Sequence, residues 1–175
     1  MSYIYKMNNR ILNYIDKNKF NSEWNIWYHH NKKCWKVEDY KKIFSINTIE
    51  DYWNFFNNIS YLNTINSQHF FMMRRDIKPT WEDINNKKGG CWSIKTYIEN
   101  SFDLWIKLSS YIVGETLVKN YNSINGISIC TKNENTCIIK IWNNDYKQNS
   151  INLLPKDITD EFGYNIIYKA HIPEY

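Results

Sequence analysis

Pro79-Thr80-Trp81-Glu82-Asp83-Ile84-Asn85-Asn86-Lys87-Lys88-Gly89-Gly90-Cys91-Trp92 is the most telling run in this chain. An indole stands directly before a carboxylate, a basic Gly-Gly turn follows, and a second indole closes the run. An indole offers a stacking face. An ionised carboxylate only accepts hydrogen bonds, so the pair suits a guanine base, whose Watson–Crick edge presents two N–H donors. A 7-methylated guanine carries positive charge, and flanking indoles then add cation–π attraction of roughly 2 kcal/mol or more per desolvated contact. The dipeptide alone more often marks a core tryptophan beside a solvated acid, so the rest of the chain has to decide.

A length of 175 residues fits one domain, and a chain of that size buries roughly 70% of its unfolded surface. Hydrophobic residues make up 43% and aromatic residues 17%, which excludes a disordered chain. The net charge of +4 permits a polyanionic partner without requiring one. Cys34, Cys91, Cys130 and Cys137 form no C-x-x-C pair, and no histidine spacing completes a zinc site. Reduced thiols and no metal or cofactor are expected. His29 and His30 are neighbours on a candidate strand and point to opposite faces, which argues against a shared metal. No apolar run approaches the ~20 residues that cross a bilayer, and the N-terminus has no apolar signal core. The expectation is a soluble, cytoplasmic monomer with no membrane partner. No G-x-S-x-G elbow, P-loop or H-E-x-x-H occurs, so binding without catalysis is the reading.

Residues 1–19 are polar and read as a short flexible lead with one helical turn around Ile11 to Ile15; residues 20–175 form the domain. From Phe20 to His29 apolar and polar residues alternate as in a strand. Thr48 with acids behind it marks a helix start, and Tyr52, Phe55, Phe56 and Ile59 form its buried stripe. Trp53 falls about 100° around the helix from that stripe and points to solvent or a partner. A second helix is predicted from Asn100 or Ser101 to about Val118, with Trp105, Leu108 and Ile112 inward and Ile106 and Val113 on its flank. Off-stripe apolar residues suit a docking patch, although a wider core contact explains them as well. Gly126–Thr131 and Cys137–Trp142 read as strands joined by a loop at 132–135, with Lys140 and Trp142 on one face. Residues 150–162 form an amphipathic segment stopped by Gly163, and 166–168 a last strand. Periodicity by itself yields an α+β chain.

The run at 79–92 resembles the eukaryotic translation initiation factor 4E family, which binds the mRNA 5′ cap. Further motifs agree in order. Trp24 and Trp27 match W-x-x-W, Lys33-Cys34-Trp35 matches K-x-W, and Ile49-Glu50-Asp51-Tyr52-Trp53 matches V-E-D-F-W. Ile112-Val113-Gly114-Glu115 matches L-I-G-E, and Ile141-Trp142 ends the strand carrying another family tryptophan. The likeness runs over positions 20–171. It implies a curved antiparallel sheet of about eight strands backed by three α-helices on its convex face. It also implies that Trp35 and Trp81 sandwich the methylated base, Glu82 reads the guanine edge, and Trp142 lies near the methyl group.

The phosphate contacts match less well. Cys91 and Ile138 occupy two positions where the family has cations. Lys132 matches the third, and Lys140 is a substitute, as are Lys87 and Lys88. On the convex face Ile49, Trp53, Ile106 and Val113 match the positions that hold a scaffold factor's Tyr-x4-Leu-Φ helix. Lys107 stands where the family has an acid, which favours a dedicated partner. The resemblance therefore implies a cap-binding initiation factor with capped mRNA and a scaffold protein as partners. A cap-binding repressor, and an interaction protein that kept the fold without cap specificity, remain alternatives.

Overall fold

A computed structural model describes residues 18–30, 35–59 and 69–171. The expected helical turn near Ile11 and most of the lead lie outside these residues, as does Cys34. Lys19, expected in the lead, already belongs to the first strand.

The strands are β1 (Lys19–His29), β2 (Tyr40–Thr48), β3 (His69–Arg74), β4 (Gly90–Tyr97), β5 (Ile124–Asn133), β6 (Thr136–Asn143) and β7 (Ile166–Ala170). They form one curved sheet in the order β2-β1-β3-β5-β6-β4-β7, every neighbouring pair antiparallel. Seven strands are counted among the described residues, in line with the expectation of about eight. The helices α1 (Ile49–Ile59), α2 (Ile98–Val113) and α3 (Lys156–Phe162) supply the other layer. A sheet packed on one side only leaves its second face free for other work.

Side chains two apart on a strand share a face, and that rule sorts the core. Trp24 and Ile26 of β1, Phe70 and Met72 of β3, Ile127 and Ile129 of β5, and Ile139 and Ile141 of β6 all turn to the helices. There they meet Phe55 and Phe56 of α1, Trp105, Leu108 and Ile112 of α2, and Ile158 of α3 in one buried cluster. The opposite face carries a smaller group in which Phe71, Met73 and Trp142 are buried and Trp27, Tyr40 and Ile77 pack against them.

The start of α1 follows the sequence closely. The Asp51 amide donates to the Thr48 hydroxyl at 3.0 Å, and the Asp51 carboxylate accepts from the Thr48 amide at 2.9 Å. This is a reciprocal cap that satisfies two otherwise orphaned donors. The Tyr52 hydroxyl donates to the Ile106 carbonyl at 2.9 Å and ties α1 to α2.

Three boundaries depart from expectation. Helix α2 starts at Ile98 and stops at Val113, short of Val118. Glu115 there adopts a left-handed φ of 57°, and its carboxylate accepts from Asn21 at 2.9 Å and pairs with Arg74 at 3.7 Å. Leu117 and Val118 are still buried, so the apolar period continues past the last helical turn. The β5–β6 connection is a two-residue turn at 134–135, because Asn133 Oδ1 accepts from the Asn135 and Thr136 amides at 3.0 and 2.9 Å. Gly163 caps the end of α3 as expected, with right-handed rather than left-handed backbone, and leads into a 3-10 turn. No helix among the described residues is long and apolar enough to cross a membrane.

Candidate functional site

The free face of the sheet holds a cavity of about 380 Å³, and the aromatic residues singled out in the sequence line it. Trp35 arrives from the segment between β1 and β2, Trp81 and Glu82 from the loop between β3 and β4, and Trp142 from β6. Tyr40, His69, Phe71, Ser128 and Lys140 complete much of the wall and floor.

Trp35 and Trp81 are each 50% exposed, an unusual cost for indoles in a chain that buries Trp24, Trp92 and Trp105 almost completely. Trp35 is held from behind. Its ring stacks on buried His29 with centroids 4.5 Å apart and planes 4° from parallel, while the His69 ring meets it edgewise at 5.0 Å. Tyr40 packs on His29 at 4.6 Å. Burial pushes the Tyr40 hydroxyl up to about 12, and the nearby Glu82 and Asp39 carboxylates add to the effect. Tyr40 is therefore a neutral donor facing the side of the cavity that carries Glu82.

Trp81 and Glu82 are carried by a loop organised around two short polar residues. The Asp83 carboxylate accepts from the Lys78 and Asn85 amides at 3.0 and 2.9 Å. Asn86 is fully buried, and its side-chain amide donates to the Lys78 and Thr80 carbonyls at 2.9 and 2.8 Å. Asn125 of β5 donates to Asn86 Oδ1 at 2.9 Å and so anchors the loop to the sheet. At the loop's end a Cβ on Gly89 would strike the Asn143 carbonyl, and one on Gly90 would strike the Tyr168 hydroxyl. Only glycine permits β4 to enter between β6 and β7 there.

On the floor, Trp142 Nε1 donates to Ser128 Oγ at 3.0 Å, and its ring lies 4.9 Å from that of His171. His171 Nδ1 meets the Asn86 carbonyl at 2.9 Å. Lys140 lines the cavity on the same strand face as Trp142, as the strand period required. Lys132 does not line it. It is exposed at the irregular end of β5, where pairing skips from Thr131 to Asn133. Lys87 and Lys88 are exposed in the loop and are likewise absent from the cavity wall. Burial raises the Cys91 thiol pKa, so Cys91 is neutral and supplies no cation.

The helical face conforms only in part. Ile49 and Trp53 are exposed at 44% and 47%, as their off-stripe positions predicted. Val113 is not a flank residue. It is 6% exposed and belongs to the main core, together with Leu117 and Val118 from the turn after α2. Ile106 is partly buried against the same core. Lys107 is engaged within the chain, with its ammonium 2.9 Å from Asp157 and 3.7 Å from Glu161 of α3. Its pKa rises through the hydrogen bond to Asp157.

His69, Tyr40, Phe71, Ser128, Asn86 and His171 were not marked as site residues by sequence reasoning, and His29 was weighed only as a metal ligand. Most meet the cavity through strand register, which no local pattern encodes. Asn86 did leave a signal, the Asx-rich run of Asp83, Asn85 and Asn86 that favours local turns. No group of three or more metal-ligating side chains gathers among the described residues.

A one-sided antiparallel sheet with two half-exposed indoles and a carboxylate around one cavity defines an α+β domain with an open aromatic cavity. The family description "Eukaryotic initiation factor 4E" matches residues 19–172, and the chain belongs to that family. It is 26% identical over 148 residues to eukaryotic translation initiation factor 4E-3 of Caenorhabditis elegans, covering 79% of this chain and 59% of that protein's length. The fold is similar to that of Ascaris suum eIF4E-3 solved with m7G cap, at a TM-score of 0.75 and 24% identity over 90% of this chain and 93% of the other. It is also similar to C. elegans eIF4E-3 in complex with the 4E-binding protein Mextli, at a TM-score of 0.71 and 21% identity over 88% and 93%.

Proposed function

We propose that the chain binds the 7-methylguanosine cap of mRNA in this cavity and acts in the cytoplasm as a translation initiation factor, without catalysis. The observation that carries the reading is the pair of half-exposed indoles, Trp35 and Trp81, on one cavity with Glu82 beside the second. Exposing an indole forgoes burial that stabilises by roughly 1.5–3 kcal/mol for a large apolar side chain. Two of them at one cavity argue for a ligand that supplies the missing contact. In this reading the base stacks between Trp35 and Trp81, Glu82 accepts from the guanine edge, and Trp142 borders the methyl group. The likeness in fold to the Ascaris factor solved with m7G cap supports the cap as the ligand class.

Scaffold recruitment through Ile49 and Trp53 belongs to this reading. A helix-in-groove contact with an aromatic anchor suits that exposed indole. A second reading, a cap-binding repressor, draws on Val113 and Lys107, which are engaged within the chain and shrink the apolar patch open to a partner.

Tryptophan fluorescence titration with 7-methylguanosine, guanosine and 7-methyladenosine phosphates tests the cap assignment. Wild type should prefer 7-methylguanosine, and Glu82→Ala should lose the preference over adenine, worth about 1–3 kcal/mol for a bidentate base contact. Equal binding of all three by wild type would leave the interaction-protein reading in its place. Capture of a Tyr-x4-Leu-Φ scaffold peptide separates initiation factor from repressor.

A further inference from the structure

A second cavity, of about 390 Å³, shares no residue with the aromatic one. It lies where β4 outruns its neighbour. Strand β4 stays paired with β6 as far as Tyr97, but its pairing with β7 stops at Ile94, where the other chain leaves for the 3-10 turn Gly163–Asn165 and the end of α3. The β4 edge over Lys95, Thr96 and Tyr97 is thus left without a strand partner, and an unpaired edge is a template for another backbone. All three residues line the cavity, together with Glu161, Phe162 and Asn165. Helix α2 begins at the same place. Its N-cap, Tyr97, makes no side-chain cap bond, and Asn100 of the first turn stands on the cavity wall. The opening amides of a helix have no partner within it. That of Ile98 donates to the Asn135 carbonyl at 3.0 Å, which leaves those of Glu99 and Asn100. Thr96 is an independent sign of a ligand. It is 8% exposed, it lines the cavity, and its hydroxyl makes no hydrogen bond among the described residues. Buried hydroxyls ordinarily find a partner. Lys95 is exposed and forms no ion pair among the described residues, while Glu161 lies 3.7 Å from Lys107.

We propose that this cavity binds the free C-terminus of an extended peptide from a partner protein. The terminal carboxylate sits at the start of α2, where the helix dipole, the spare amides, the Thr96 hydroxyl and the Lys95 ammonium all favour negative charge. The residues before it run along the open edge of β4, whose main-chain groups pair with a second backbone as in β-strand addition. Tyr97 and Phe162 present ring surface to the last side chains. Glu161 suits a basic side chain further along the peptide. A small anion would use only the α2 end of the site. The open strand edge and the opposite charges of Lys95 and Glu161 fit a peptide, which carries main-chain donors and acceptors and charges of both signs. Because the two cavities have no residue in common, peptide and nucleotide are expected to bind together.

The test passes two synthetic random-hexapeptide pools, one with free C-termini and one amidated, over the immobilised full chain, and then titrates the peptides retained. Wild type, Lys95→Ala, Thr96→Val, Thr96→Ser and Trp53→Ala are compared, and thermal melting checks folding. The expected result is that wild type retains the free-acid pool in preference to the amidated one. Thr96→Val should bind the selected peptides roughly tenfold more weakly, as for a lost hydrogen bond to a charged group, and Thr96→Ser, which keeps the hydroxyl, should bind them as wild type does. Lys95→Ala should weaken them in a salt-dependent way. The proposal is overturned if wild type retains neither pool or both equally, if Lys95→Ala and Thr96→Val bind as wild type does, or if Thr96→Ser loses as much as Thr96→Val. Displacement of the peptides by 7-methylguanosine triphosphate assigns them to the aromatic cavity, and their loss in Trp53→Ala assigns them to the helical face. Either outcome also overturns it.

Discussion

Trp35 and Trp81 have the same side chain as Trp24, Trp92 and Trp105, and the fold treats them oppositely. The latter three fill the core, while the former two stand half in solvent around one cavity. Changing either Trp35 or Trp81 to Ala should remove about 1–3 kcal/mol of cap binding, as base–aromatic stacking does elsewhere. Titration with a cap analogue reads this directly, and unchanged affinity in both variants defeats the sandwich. His171 offers a different kind of test. Burial lowers its pKa from the ordinary 6.5. As pH falls, the unfolded chain takes up that proton before the folded one, so the contribution to stability is present above about pH 6.5 and is lost below it. His171 also packs against Trp142. Melting temperature should therefore decline between pH 7 and pH 5, and His171→Asn should flatten that decline. An equally steep slope in the variant assigns the acid sensitivity to another group.

At the scale of elements, the loop at 75–89 does the positioning, and Asn86 is its pin. It is fully buried with both side-chain donors and its side-chain oxygen engaged. Replacing it by Ala removes its bonds to the Lys78 and Thr80 carbonyls and from the Asn125 amide, while Thr80 keeps the Asp83 amide and Asn125 keeps the Asn85 carbonyl, so the expected cost is about 1–3 kcal/mol. Asn86→Ala should lower the melting temperature and also weaken cap binding, because Trp81 and Glu82 ride on that loop. Loss of stability with full cap affinity in the folded fraction would show that the indole finds its place without the pin. Much of the element layer was legible in the chain. Thr48 with Asp51 announced α1, and alternation announced β1 and β6, because caps and pleats are local physics. The end of α2 was not legible. The helix ends in a turn where the Glu115 and Thr116 amides donate back to the Ile112 and Tyr111 carbonyls around a left-handed non-glycine residue, whose carboxylate meets Arg74 and Asn21 far away in sequence.

For the whole molecule, the sheet separates two working faces. Trp53 projects from α1 on the helical side, and the aromatic cavity opens on the other. Trp53→Ala should abolish capture of a Tyr-x4-Leu-Φ peptide and leave cap affinity intact; calorimetry with both ligands checks it. If the peptide binds as before, the docking patch lies elsewhere. Lys107 changes meaning once α3 is in place. From sequence alone, Lys107→Glu would be expected to restore a standard acid at the rim. In the fold it would set a third carboxylate beside Asp157 and Glu161. The expected outcome is a loss of stability of the order of 0.2–1 kcal/mol, as for an exposed ion pair, with no gain in peptide affinity. Chemical denaturation of Lys107→Glu beside Asp157→Asn measures the first part.

The chain by itself determined the α+β alternation, the capped start of α1, the shared face of Lys140 and Trp142, and the candidates Trp35, Trp81, Glu82 and Trp142. Each of these rests on neighbours within a few positions or on a motif of fixed spacing. Only the tertiary structure decided that Lys140 rather than Lys132 meets the cavity, that His29 backs Trp35, and that Val113 and Lys107 are taken up inside the molecule. Those relations join residues from different strands or helices. Register and packing set them, and a one-residue slip in pairing would carry a side chain to the opposite face of the sheet.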